Sequence, residues 1–146
     1  MNDEVSQLLA SVRQFGIQLS ATPRGARLAR LLAVEQLRTW GLHAVVEPVA
    51  QIVAELANNA ATHGQVSGRD FQVEMFALSD VLRIEVTDTR GDRIPRMCLP
   101  GGVAESGRGL LLVDALARQW GVRQGPTPRK TVWAEVDLAP QGQAST

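Results

Sequence analysis

The sequence has too few cysteines, too little net charge and too short apolar runs for several classes of protein. Its 146 residues include a single cysteine, Cys98, which excludes an intramolecular disulfide and a cysteine-based zinc cluster. Lysine and arginine together number 15, and so do aspartate and glutamate. A chain with a net charge of zero has no long-range electrostatic attraction to nucleic-acid phosphates or to anionic membranes. We therefore expect no direct nucleic-acid partner.

The chain also lacks the features of membrane and exported proteins. No stretch approaches the roughly 20 apolar residues that a membrane helix needs. The N-terminus, MNDEVSQLLASVRQ, has acidic residues where an export signal has basic ones, and its apolar run is short. These features predict a cytoplasmic protein without a membrane segment. The hydrophobic share of 45% and the charged share of 21% are ordinary for a globular chain, and the length suits one domain.

What the sequence does contain is a regular succession of helix and strand patterns. The predicted elements are a strand in QFGIQLSA, a helix over 23–40, a helix from near Glu47 to His63, a hairpin of FQVEMFAL and VLRIEVTD, a loop over 89–106, a helix from Leu110 through Ala117, and a strand in TVWAEVDL. This order predicts an α+β fold of two layers, in which helices cover one face of a mixed, mostly antiparallel sheet. We expect a polar segment at 1–13, one domain at 14–138 and a disordered tail at 139–146.

The helix segment AELANNAATHG is the most informative part of the chain. Glu55, Asn59 and His63 are spaced by four residues, and each step drifts by only about 40° around a helix, so the three share one stripe. That stripe borders an apolar row, which predicts that it lies along the edge of a cleft. The adjacent Asn58 and Asn59 each give up roughly half a kcal/mol relative to alanine in a helix. They are either tolerated surface residues or are kept for a ligand.

Two further segments have a polar or glycine-rich pattern at the end of a predicted element. Asp88 closes the strand VLRIEVTD, where a carboxylate is commonly a turn residue. Gly107 and Gly109 precede an apolar helix, and glycines at a helix start permit close approach of an anion to unpaired backbone N–H groups. Taken alone, each of these features has an ordinary structural explanation.

Together the segments resemble the GHKL ATPase superfamily, which includes histidine-kinase catalytic domains, Hsp90 and the bacterial anti-sigma-factor serine kinases. ELANNAATHG resembles the N-box of that family, VTDTRG its adenine box, ESGRGLLLV its second glycine box and KTVWAEV its closing strand. The resemblance extends from about residue 14 to residue 138. It implies the Bergerat ATP-binding fold, with ATP and Mg²⁺ as ligands.

The resemblance also implies roles for the polar residues of the N-box and the adenine box. Asn59 would coordinate Mg²⁺ through its side-chain oxygen, and Glu55 would be the general base that deprotonates the attacking hydroxyl or water. His63 would lie near the phosphates. Asp88 would accept a hydrogen bond from the exocyclic amino group of adenine, a contact that the carbonyl of guanine cannot make, so ATP would be preferred over GTP.

The remaining ATP-binding assignments fall on the glycine boxes and the closing strand. Gly107 and Gly109 would wrap the phosphates with Arg108 as a charge partner, and Thr131 would touch adenine through water. The first glycine box departs from the family pattern, because only Gly91 is present near the positions where the family has two glycines. This departure bears on nucleotide affinity or on movement of the lid loop.

Within the superfamily, the chain resembles the stand-alone anti-sigma serine kinases. Fewer than twenty residues precede the first predicted strand, which leaves no room for the phosphoacceptor hairpin of a sensor kinase, and no transducer segment follows the last strand. We expect an ATP-dependent protein serine/threonine kinase that phosphorylates an anti-sigma antagonist and sequesters a sigma factor. Arg30 matches a position that contacts the sigma factor, although a solvated arginine is an equal alternative. The family also implies a homodimer.

Two alternatives remain open at this point. The chain could be an ATP-dependent regulatory module that captures a protein partner without transferring phosphate. It could also be a degenerate form of the fold that has lost nucleotide binding, because of the altered glycine box.

Overall fold

The computed structural model describes residues 13–63, 69–89 and 105–138, with the backbone alone for His63 and for 105–109. Its elements in chain order are β1 (Arg13–Ser20), α1 (Pro23–Thr39), a 3₁₀ turn (His43–Val45), α2 (Val46–His63), β2 (Asp70–Ala77), β3 (Val81–Asp88), α3 (Glu105–Leu116), β4 (Gln119–Gln124) and β5 (Lys130–Asp137). Apart from Arg13, the predicted polar segment and tail lie outside the described residues, as do positions 90–104 of the predicted loop. No helix among the described residues is long and apolar enough to span a membrane.

The five strands form one sheet in the order β1-β2-β3-β5-β4. Every pairing within the described residues is antiparallel, whereas the sequence predicted a mixed, mostly antiparallel sheet. The predicted hairpin is β2 and β3, and its turn encloses Ser79 and Asp80, where the N–H of Leu78 donates to the carbonyl of Val81. The predicted α+β class and the two-layer arrangement are confirmed.

The helices lie on one face of this sheet. Side chains of a strand alternate between the two faces, and the buried set of β2 and β3 includes Val73, Ile84 and Val86, as the sequence predicted. These residues form one core with buried residues of α1, α2 and α3, among them Leu37 and Leu110. The opposite face of the sheet has no helix among the described residues and has polar side chains instead.

Helix α1 begins as its sequence predicts. The hydroxyl of Thr22 accepts a hydrogen bond from the N–H of Gly25 at 3.0 Å, and Pro23 occupies the first helical position, where its missing N–H costs nothing. A Cβ atom at Gly25 would lie 2.0 Å from the carbonyl oxygen of Ser20. Only glycine therefore allows the first turn of α1 to pack this closely against the end of β1.

Two elements differ from the sequence prediction. Helix α3 begins at Glu105, before the predicted start at Leu110, because the glycines at its start lie inside the helix and not in a preceding turn. Strand β4 was not singled out by sequence. Its burial is intermediate or exposed at every position, so it lacks the alternation of apolar and polar residues that identifies a half-buried strand.

Candidate functional site

The polar stripe of α2 lies at the edge of the core. The apolar face of the helix, which includes Ile52, Leu56 and Ala60, is buried. Glu55 and Asn59 are half-buried, whereas Asn58 is exposed. The four-residue spacing thus places a carboxylate and an amide along one border of the helix, between its buried and exposed faces, where they can contact a ligand.

The amide nitrogen of Asn59 is buried. Its Nδ2 atom has no hydrogen-bond partner in the described part of the chain. A buried donor without an acceptor costs about 1–3 kcal/mol, so such groups in native proteins need an explanation. An anionic ligand oxygen would satisfy this donor, and exchanging the amide oxygen and nitrogen by a rotation would instead present an oxygen of the type that Mg²⁺ prefers.

The donor set fits a magnesium ion that is held mainly by its nucleotide. The described residues contain no group of three or more histidine, cysteine, aspartate or glutamate side chains that could hold a metal by themselves. Mg²⁺ usually keeps several waters and binds through one or two protein oxygens together with phosphate oxygens. Asn59, with Glu55 one turn earlier, suits that arrangement.

Asp88 is buried at the end of β3 and forms an ion pair. Its register partner in β5 is Lys130, and the two side chains lie on the helix-covered face, in phase with Val86 and Val132. The Nζ atom of Lys130 is 3.6 Å from Oδ2 of Asp88, with exposed fractions of 4% and 7% for the two side chains. The predicted adenine-reading carboxylate therefore has a cation beside it.

Thr131 does not lie beside Asp88. Strand alternation directs Thr131 to the helix-free face, where its hydroxyl is 2.8 Å from the hydroxyl of Thr87. Strand alternation thus directs the two side chains that the resemblance assigns to adenine to opposite faces of the sheet. The side chain opposite Asp88 is Lys130.

The start of β2 and the end of β3 lie at the same end of the sheet. Residues 64–68 connect α2 to β2, and the start of β2 pairs with the end of β3, as in the partners Gln72 and Thr87. Arg69 reinforces this end, since its Nη1 donates to the carbonyl of Thr89 at 3.0 Å.

The other predicted site residues have these positions. His63 is the last residue of α2, and its side chain lies outside the described residues. Gly107 and Gly109 are inside α3, so Gly107 and Arg108 are among the first four residues of that helix, whose N–H groups have no partner within it. The side chain of Arg108 and the whole of Gly91 lie outside the described residues. Arg30 is exposed on α1.

The helix-free face has a charge network of its own. Arg83 donates to Glu85 at 2.7 Å and to Glu135 at 2.9 Å, and its guanidinium lies 4.3 Å from the ring centre of Trp133. Burial lowers the pKa of Arg83, but the hydrogen bonds to both carboxylates outweigh it and raise the pKa overall. The hydrogen bond from Gln119, assisted by Arg83, holds the pKa of Glu135 below its ordinary value against the opposing effect of burial.

A cavity of about 440 Å³ opens at the end of the sheet, mainly towards this helix-free face. Its lining residues are Gln18, Arg69, Asp70, Phe71, Gln72, Thr87, Asp88, Thr89, Pro128 and Arg129. Neither Glu55 nor Asn59 is among them. Among the predicted site residues whose side chains are described, the cavity touches only Asp88, and the Asn59 amide, without a partner in that same part of the chain, is the better guide to where phosphate would bind.

Sequence reasoning missed Lys130, although a signal for it was present. In KTVWAEV the lysine is in phase with Val132, Ala134 and Val136, which are the apolar members of a period-two pattern. That phase predicts a side chain on the buried face at the end of the strand. A lysine in such a position needs a carboxylate partner, and Asp88 at the end of a neighbouring strand was the available one.

The comparisons with known proteins agree with the fold. No curated protein matches the sequence. A solved structure of the RsbU and RsbW domains of Rv1364c from Mycobacterium tuberculosis is similar, with 23% identity and a TM-score of 0.57. The match covers 86% of this chain but 32% of that one, and at this identity it shows a shared fold. Residues 19–135 match the histidine kinase-like ATPase domain, and the chain belongs to that family.

Proposed function

We propose that the chain binds ATP with Mg²⁺ and acts as an anti-sigma-type regulator that phosphorylates a serine or threonine of an antagonist protein. The observation that carries the nucleotide site is the buried amide of Asn59 on the polar edge of α2, whose nitrogen has no hydrogen-bond partner among the residues that the structure describes. Membership of the histidine kinase-like ATPase family supports it independently. The regulatory role rests on the likeness to a structure that contains an RsbW domain.

In this proposal each residue has a defined task. Asn59 would hold the metal through its amide oxygen, and the metal would supply positive charge that neutralises the phosphates. Glu55 accepts the proton of the attacking hydroxyl while the terminal phosphoryl group moves to that oxygen and ADP leaves. Asp88 contacts the base, and the backbone at Gly107 and Gly109, with Arg108, meets the phosphates. Gly91 and His63 complete the site by resemblance.

The partner surface in this proposal is the exposed side of α1. Arg30 is exposed there beside Leu31, which is 59% exposed, and Arg27 adds a second cation to the same exposed side. A basic face with an apolar residue suits an acidic protein surface, because complementary charge directs association and the apolar contact adds burial. A sigma factor would bind here in the cytoplasm, and a homodimer would form through another surface.

The test separates catalysis from binding by using two glutamates of the same helix. We expect Glu55→Gln to keep the calorimetric affinity for ATP with Mg²⁺ but to lose transfer of radiolabelled phosphate to candidate antagonist proteins. Glu47→Gln, at an exposed position in the first turn of α2, is the matched control and should retain transfer. Equal transfer by the Glu55 variant and the parent would remove the base assignment.

The same assay decides between the proposal and a binding-only module. If the unaltered chain binds ATP but leaves the hydroxyl groups of every antagonist unmodified, its function is ATP-dependent capture of a partner. If calorimetry detects no ATP binding with Mg²⁺ present, the nucleotide site itself is refuted.

A further inference from the structure

A buried ion pair lies where the proposed site would hold its base. Asp88 and Lys130 are directly opposite each other and nearly inaccessible to water. Moving two charges out of water costs several kcal/mol for each ion, and a buried pair is often no more stable than an apolar pair of similar size. The adjacent cross-strand pair on this face, Val86 and Val132, shows that apolar residues pack well here. Stability alone therefore gives no reason for the ion pair.

The two head groups together offer complementary hydrogen-bonding functions. A carboxylate accepts hydrogen bonds and has about four lone-pair sites, whereas an ammonium group donates three. An aspartate alone can read only a donor on a base. With Lys130 Nζ at 3.6 Å from Asp88 Oδ2, an acceptor and a donor lie side by side, and each could form a hydrogen bond to one of two neighbouring groups on a base edge.

Purines have a donor and an acceptor at position 6 and N1, and the two groups exchange places between 6-aminopurines and 6-oxopurines. Adenine has an amino donor at position 6 and an acceptor at N1, whereas hypoxanthine and guanine have a carbonyl acceptor at position 6 and a donor N1–H. Adenine would donate its amino hydrogen to Asp88 and accept at N1 from Lys130. A 6-oxopurine would accept at O6 from Lys130 and donate N1–H to Asp88.

We propose that Lys130 is a base-reading residue, and that the site accepts 6-oxopurine as well as 6-aminopurine nucleotides. This inference rests on the proposed nucleotide site and changes its specificity. Asp88 by itself would prefer ATP, because a carbonyl facing a carboxylate leaves two acceptors in contact and buried polar groups unpaired. Lys130 supplies the donor that the carbonyl needs.

The first experiment compares ATP and inosine triphosphate on the unaltered chain by calorimetry with Mg²⁺. Inosine triphosphate differs from ATP only at position 6 and N1, so it isolates the groups in question. We expect the two affinities to agree within about tenfold. A site that reads the base with a single buried acceptor would discriminate by a factor on the order of 10⁴, and any preference for ATP above about tenfold would overturn the inference.

Inorganic tripolyphosphate separates failure of this inference from failure of the nucleotide site. If both nucleotides bind no more tightly than tripolyphosphate, the base is not read and the role of Lys130 is refuted, while phosphate binding stands. If ATP does not bind at all, the proposed function falls together with this inference.

The second experiment removes the donor. We expect Lys130→Met to lower the affinity for inosine triphosphate by at least about tenfold more than it lowers the affinity for ATP. Arg129→Met is the matched control, since it deletes a cation at the neighbouring exposed position, and it should leave the ratio of the two affinities unchanged. An unchanged ratio in Lys130→Met would overturn the inference. If the loss of Asp88's partner prevents folding of this variant, the comparison on the unaltered chain still decides.

Discussion

Removal of the Asn59 side-chain amide should stabilise the nucleotide-free protein and abolish its response to nucleotide. In Asn59→Ala the buried donor that has no partner in the described chain disappears, and with it a cost of about 1–3 kcal/mol. Alanine also improves helix propensity by roughly half a kcal/mol. Asn58→Ala, at an exposed position of the same helix, gains the propensity part alone. The difference between the two variants therefore reports the buried amide.

Urea denaturation followed by circular dichroism measures this difference. Without nucleotide, we expect Asn59→Ala to have the higher free energy of unfolding, by about 1–3 kcal/mol over Asn58→Ala. With ATP and Mg²⁺ at a hundred times the dissociation constant, the native chain and Asn58→Ala should gain about 2.7 kcal/mol. Asn59→Ala should gain nothing, because its metal ligand is gone.

Nucleotide should thus remove about 2.7 kcal/mol from the advantage of Asn59→Ala over Asn58→Ala, which inverts the order of stability whenever that advantage is smaller than this gain. The reasoning is refuted if Asn59→Ala is no more stable than Asn58→Ala without nucleotide, because the amide then carries no penalty. It is refuted separately if nucleotide stabilises Asn59→Ala as much as the native chain, because Asn59 then takes no part in binding.

Three further predictions concern the scaffold of the site. Gly25→Ala should lower the free energy of unfolding in urea by about 3 kcal/mol, the upper end of the cost of overpacking, because an added Cβ would lie 2.0 Å from a backbone oxygen. Gly41→Ala should cost about 1 kcal/mol for its φ of +77°, because an added Cβ there would meet no described atom within 4 Å apart from its chain neighbours. Equal losses in the two variants would contradict the packing account. Leu110→Ala should cost about 2–5 kcal/mol because the leucine is fully buried, and a loss below 1 kcal/mol would mean that α3 does not pack as described. The lowered pKa of Glu135 predicts a contribution to stability that is present above about pH 4.3 and is lost as the pH falls through the lower pKa of the folded state. Glu135→Gln should therefore flatten the acid side of a plot of unfolding free energy against pH. An unchanged acid side would contradict the lowered pKa.

Much of the fold was predictable because local patterns and tertiary packing agree. The hairpin of β2 and β3 alternates strictly, and α1 has a Thr22–Pro23 start followed by an apolar stripe, so both were placed to within a residue or two. β4 was not, because its residues are half-buried or exposed without alternation and leave no periodic signal. The early start of α3 was missed because glycines were taken to end a loop, although they are tolerated inside the first turns of a helix.

The sequence predicts the positions of individual site residues better than it predicts which side chains lie next to each other. The spacing of Glu55 and Asn59 predicts their shared edge, because a helix has a fixed period. The partner of Asp88 depends on the register between β3 and β5, a long-range property that no short motif contains. The family resemblance pointed to Thr131, and the strand phase points to Lys130.

That register has a consequence for how the base site could evolve or be engineered. A slip of β5 by one residue would set a threonine opposite Asp88, but it would also turn Trp133 and Glu135 into the apolar layer and expel Ala134. The hydrogen-bonded carboxylate of Glu135 cannot be accommodated there without losing its partners. Remote side chains of the closing strand therefore dictate that a lysine faces Asp88, and a threonine can be introduced there only by direct replacement.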